Sequence, residues 1–79
     1  MAKLLGSTVQ ALVLKRTNVG ETDRVVTLYS PEQGKIVCIA KGVRKMSSSK
    51  RSLLEPGNQV RAFVIPTASL AIITQVTLL

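Results

Sequence analysis

Residues 41–51, KGVRKMSSSKR, place Lys41, Arg44, Lys45, Lys50 and Arg51 within eleven positions, with three consecutive serines and no acid. Ammonium and guanidinium groups at that density attract an anion, and the hydroxyls of Ser47, Ser48 and Ser49 can donate to phosphate oxygens. Charge runs usually serve only to solvate a loop, but a solvated loop does not need all its charge of one sign. Glu21 and Asp23 form the only close carboxylate pair. Such a pair on a loop can hold Mg²⁺ or exchange a proton. Four acids in the whole chain are too few for a nuclease, so a structural role is expected: an Asx-type turn, or ion pairs with Arg24 or Lys15. Cys38, between Val37 and Ile39, reads as a small buried hydrophobe. With one cysteine and no histidine, the chain offers no internal disulfide, no cysteine-based zinc site and no base to activate a serine. No enzymatic activity, cofactor or metal is expected.

The net charge of +7 on 79 residues favours a polyanionic partner, nucleic acid or an anionic membrane face. A chain this short buries only about 60% of the surface it exposes unfolded, so one domain with a thin core is expected over 1–79. A hydrophobic fraction of 46% argues against disorder. No apolar run approaches the roughly 18 residues of a membrane span. Gly6, Ser7, Thr8 and Gln10 interrupt the apolar start, which therefore reads as the beginning of a strand rather than a signal peptide. A single thiol and no leader fit a reducing cytoplasm.

Short apolar runs between turn signals must position these groups, and they read as all-β. Strands are expected at 8–16, 24–30, 34–43, 58–66 and 69–79. A polar loop at 17–23 would turn on Gly20, and a tight connection at 30–34 would use Pro31 and Gly34. In the third strand, Ile36, Cys38 and Ala40 share one face, while Lys35, Val37, Ile39 and Lys41 share the other. SKRSLLE (49–55) is expected to form about one helical turn before Pro56-Gly57 stops it. Five strands with a longer connection between the third and fourth make a small OB-fold barrel, in which strands 2 and 3 and nearby loops bind single-stranded nucleic acid. Pattern alone leaves an SH3-like barrel open.

The run ALVLKRTNVGETDRVVTLYSPEQGKIVCIAKGVRK (11–45) resembles the N-terminal domain of the bacterial recombination and repair protein family RecO. The resemblance rests on Ala11, Val13 and Leu14, then G-E-T-D-R (20–24), T-L-Y (27–29), Gly34-Lys35 and A-K-G (40–42). It extends to the closing L-x-x-I-T-Q-V-x-L-L. It implies an OB-fold domain that binds DNA in the bacterial cytoplasm, near the nucleoid, promotes strand annealing, assists recombinase loading and partners RecR. Full-length members continue into a helical domain, often with a zinc site. The 79 residues are therefore expected to be an excised domain or a truncated relative, without the C-terminal contact to single-strand-binding protein.

The expected nucleic-acid surface comprises Lys15, Arg16, Arg24, Tyr29, Lys35, Lys41, Arg44, Lys45, Ser47, Ser48, Ser49, Lys50 and Arg51. Its ligand would be single-stranded, and also duplex, DNA. Tyr29 and Phe63 are the only aromatics. Tyr29 is kept as a stacking residue, whereas Phe63, which shares a face with Arg61, reads as a packing residue. Arg61 is remote in sequence from the basic lip. Two alternatives stay open: a basic protein-assembly module whose apolar pairs Leu12/Leu14 and Leu78/Leu79 meet another surface, and an RNA-binding barrel of the translation apparatus.

Overall fold

The computed structural model describes residues 6–45 and 50–79. They form β1 (Ser7–Val19), β2 (Asp23–Ser30), β3 (Gly34–Ala40), β4 (Gln59–Ile65) and β5 (Ala71–Leu78). The strands close in the order β1-β2-β3-β5-β4, with β4 returning to β1. Every pairing is antiparallel except the short β3–β5 contact, Cys38↔Ala71 and Ile39↔Ile72. This closed five-stranded arrangement is that of an OB fold.

Alternation fills the barrel. Val9, Ala11 and Val13 point inward from β1, Val26 and Leu28 from β2, and Cys38 and Ala40 from β3. Val60, Ala62 and Val64 of β4 and Ile73 and Val76 of β5 complete the core. Small side chains at Ala11, Cys38, Ala40 and Ala62 let so narrow a barrel close.

β1 runs three residues beyond its expected end, because Thr17, Asn18 and Val19 continue the ladder with Val25, Arg24 and Asp23. These residues are polar or exposed because they extend past the barrel core. Gly20 then turns the chain at φ 60°. A bulge interrupts β1 at Leu14: Val13 pairs with Leu28, and Lys15 with Thr27. The extra residue reverses the alternation, so Val13 faces inward and Lys15 outward. At the bulge, the Val13 N–H donates to Asn58 O (2.9 Å) and the Gly57 N–H to Val13 O (2.9 Å).

The connection from β3 to β4 departs from expectation. Among the described residues there is no helix. Instead, Lys50 O accepts from the N–H groups of Leu53 and Leu54 (3.0 and 3.3 Å), which closes a turn. The next four carbonyls are taken by side chains. Arg24 donates to Arg51 O and Leu54 O, and Asn58 Nδ2 donates to Ser52 O and Leu53 O. Pro56 has no N–H with which to continue a helix. The turn delivers Leu54, fully buried, as a plug at the end of the barrel, with Val43 beside the same core. Among the described residues no helix is long and apolar enough to cross a membrane.

Candidate nucleic-acid interface

Register lines up three rows of side chains on the outer face of β1, β2 and β3. Thr17, Val25 and Ile39 form one, Lys15, Thr27 and Val37 the next, and Leu12, Tyr29 and Lys35 the third. Directly opposed Cβ atoms lie about 5 Å apart, so Lys35 and Tyr29 are neighbours on this face, and Lys15 lies one row further along. Tyr29 is 48% exposed. Lys41 follows the last residue of β3. At about 3.3 Å per residue, Lys35 and Lys41 bracket a strip about 20 Å long.

Three of the four acids are engaged in contacts of their own. Glu55 accepts from Arg16 Nε (2.8 Å) and Arg24 Nη1 (3.3 Å), the only ion pairs among the described residues. The Arg16 hydrogen bond holds the Glu55 carboxyl below its ordinary range, and the charges of Arg16 and Arg24 act the same way against a raising effect of burial. Asp23 Oδ1 accepts from the Gly42 N–H (2.8 Å) and Thr22 Oγ1 (3.2 Å), and the Gly42 bond in particular pulls its pKa down. Glu32 Oε1 accepts from Ser30 Oγ (3.1 Å) within the β2–β3 turn. Lys15, Lys35, Lys41, Lys45, Arg51 and Arg61 have no acid partner among the described residues.

The thirteen expected site residues therefore separate. Lys15, Tyr29 and Lys35 share the outer face, with Lys41 at its far end. Arg16 faces Glu55 instead. Arg24 is buried, and its guanidinium is used on Asn18 Oδ1, Glu55 Oε2 and the carbonyls of Arg51 and Leu54. Burial lowers its pKa, with repulsion from Arg16, Arg44 and Arg51 in the same direction. Arg44 clamps the β1–β2 turn through Asp23 O (3.0 Å), Val19 O (3.2 Å) and Gly20 O (2.5 Å). Its own N–H donates to Thr22 O (2.9 Å). Lys45 and Arg51 are exposed, and Lys50 Nζ donates to Thr74 O (2.7 Å). Ser47, Ser48 and Ser49 lie outside the described residues.

Of the carboxylate pair only Asp23 has the structural role expected, capping the turn after β3; Glu21 is exposed, and Arg24 pairs with Glu55 rather than with either of them. Cys38 is fully buried, and burial pushes its thiol up to about 11. Phe63 is half-buried with its ring against Gly6, where no side chain would fit without displacing it.

Sequence reasoning missed the contribution of β4. Leu12 pairs with Tyr29 on one side and with Gln59 on the other, and Gln10 pairs with Arg61. Residues 47 or 51 positions apart thus adjoin Tyr29's neighbourhood, and no local sequence signal announces such a pairing.

A closed OB-type barrel, with three of its four acids engaged in internal contacts and lysines along the outer face of β1–β3, defines the class: a small barrel module with a basic sheet face. The chain belongs to the family described as Recombination protein O N terminal, whose sequence model matches residues 2–79. It is similar to the DNA repair protein RecO of Cutibacterium acnes, 39% identical over 67 residues, which cover 85% of this chain and 27% of that protein. The chain thus spans about a quarter of that curated relative.

Proposed function

We propose that this domain is a non-catalytic DNA-binding module serving recombinational repair, and that it holds single-stranded DNA along the outer face of β1–β3. The observation that carries the reading is the row geometry: Lys15, Lys35 and Lys41, unpaired among the described residues, lie on or beside a sheet face that also exposes Tyr29. Phosphate contacts supply most of the affinity, and Tyr29 adds stacking that tolerates any base. With one exposed ring on that strip, sequence preference is slight. Duplex DNA binds the same charges but cannot offer its bases to Tyr29, so it binds more weakly. Strand annealing, support of recombinase loading and partnership with RecR, which family resemblance implies, belong to the whole protein's proposed role.

A second reading rests on Leu14, Leu78 and Leu79, which are 43%, 58% and 51% exposed and suit contact with another protein surface. The two readings predict different competitors. A labelled single strand bound by the protein should be displaced best by unlabelled single-stranded DNA, less well by duplex and by RNA of equal length. Failure of the single strand to bind at about 50 mM salt, where phosphate contacts are strongest, would favour the protein-contact reading.

A further inference from the structure

The row that contains Tyr29 continues beyond the three strands of the proposed strip. Read across the barrel, it runs Lys35, Tyr29, Leu12, Gln59 through β3, β2, β1 and β4. The Leu79 N–H donates to Gln59 O (3.0 Å), which brings the end of β5 to the same place. These residues enclose an open cleft of about 210 Å³, lined by Gln10, Leu12, Tyr29, Pro31, Gln59 and Leu79. Apolar groups form most of it, and Gln10, Gln59 and Tyr29 contribute its polar side-chain groups. Cations stand on two sides: Lys35 directly opposite Tyr29, and Arg61 directly opposite Gln10. Neither has an acid partner among the described residues.

We propose that this cleft receives one unpaired base of the bound single-stranded DNA, an inference that rests on the reading of the domain as a single-strand binder. Tyr29 stacks on the base. Leu12, Pro31 and Leu79 exclude water from its faces, and Lys35 and Arg61 hold the phosphates to either side. The amides of Gln10 and Gln59 each carry both donors and an acceptor, so they can meet the polar edge of any base. The cleft therefore demands a base that is unpaired without selecting which one, and it makes single-strandedness itself the recognised feature. It also carries the strand over β1 onto β4, beyond the β2–β3 face.

The test compares two oligomers of equal length and charge at about 50 mM salt: oligodeoxythymidine and a wholly abasic deoxyribose-phosphate chain. Affinity is read by competition anisotropy, and occupancy by emission of Tyr29, the only tyrosine in a chain without tryptophan. The base-bearing oligomer should bind about tenfold or more tighter than the abasic one and quench Tyr29. Tyr29→Leu, at a half-exposed position where far-UV circular dichroism can verify folding, should narrow that gap to about twofold. Equal affinity for the two oligomers without quenching would overturn the cleft while leaving backbone binding intact. A gap that survives Tyr29→Leu would place base contact elsewhere and overturn it as well. Emission that shifts with protein concentration in the absence of DNA would assign the cleft to a second copy of the chain. Binding of neither oligomer would overturn the cleft together with the reading beneath it.

Discussion

Arg24 shows how far a residue's charge and its role can diverge. Its guanidinium lies within the barrel end, where it satisfies two carbonyls, an amide oxygen and a carboxylate. Replacing it with methionine removes the donors while retaining an unbranched apolar stem. The folded protein should lose about 1.5–3 kcal/mol, the range for hydrogen bonds to a charged group. Urea denaturation measures this, and a loss below about 0.5 kcal/mol would show that the carbonyls find other donors. Affinity of the folded variant for single-stranded DNA should change by less than about threefold, since Arg24 makes no phosphate contact in this account. Cys38 supplies a second residue-scale expectation. Its folded pKa lies above the unfolded value, so its stabilising contribution is complete below about pH 9 and is lost as pH rises towards 11. Two pKa units correspond to about 2–3 kcal/mol. Alkaline unfolding curves of the parent and Cys38→Ala should therefore converge between these pH values; parallel curves would show the thiol to be uninvolved. Burial of Cys38 could be inferred from its strand neighbours. The fate of Arg24 could not, because a buried arginine and a surface arginine look alike until Glu55 and the turn at 51–54 are in place.

At the scale of elements, the bulge at Leu14 decides what the outer face carries. It turns Lys15 outward beside Thr27 and so aligns a cation with the β2–β3 surface. Changing Lys15, Lys35 and Lys41 together to glutamine should weaken binding of unrelated single strands alike. It should also make the salt dependence shallower by about 2, at roughly 0.7 per lost phosphate contact. Fluorescence anisotropy at several salt concentrations measures both. An unchanged slope would remove the three lysines from the interface. The connection after β3 makes its own prediction. Gly42 holds φ 68° while its N–H serves Asp23, so Gly42→Ala forces an L side chain into the left-handed region. Stability should fall by about 1–2 kcal/mol in thermal or chemical unfolding. The five strands, the Gly20 and Gly34 turns and the facing of β3 were legible because period-2 alternation and glycine placement are local signals. The helical turn expected at 49–55 was misread for a physical reason. Its composition permits a helix, but Arg24 and Asn58 compete for the carbonyls a helix would use. The strand-1 bulge leaves no clear mark in ALVLKR.

For the whole molecule, three of the four acids are turned to internal work, and several of the eleven basic side chains remain on the surface. Asp23 and Glu55 both have folded pKa values below their ordinary ones, so their stabilising effect is present above about pH 4–5 and is lost as pH falls through the depressed values. Acid should thus loosen the β3–β4 connection while neutral pH leaves it intact. The net charge was legible from composition. Which cations stay available was not, since that depends on long-range pairings such as Arg16 with Glu55. In the reading proposed above, the remaining cations bind the phosphates of a single strand. Affinity for one labelled oligonucleotide, measured at four salt concentrations from about 50 to 200 mM, tests it most directly. Three to five phosphate contacts predict a slope of log K against log salt of about −2 to −3.5, a weakening of roughly 20- to 130-fold over that range. A slope shallower than about −1 with binding intact would contradict the claim.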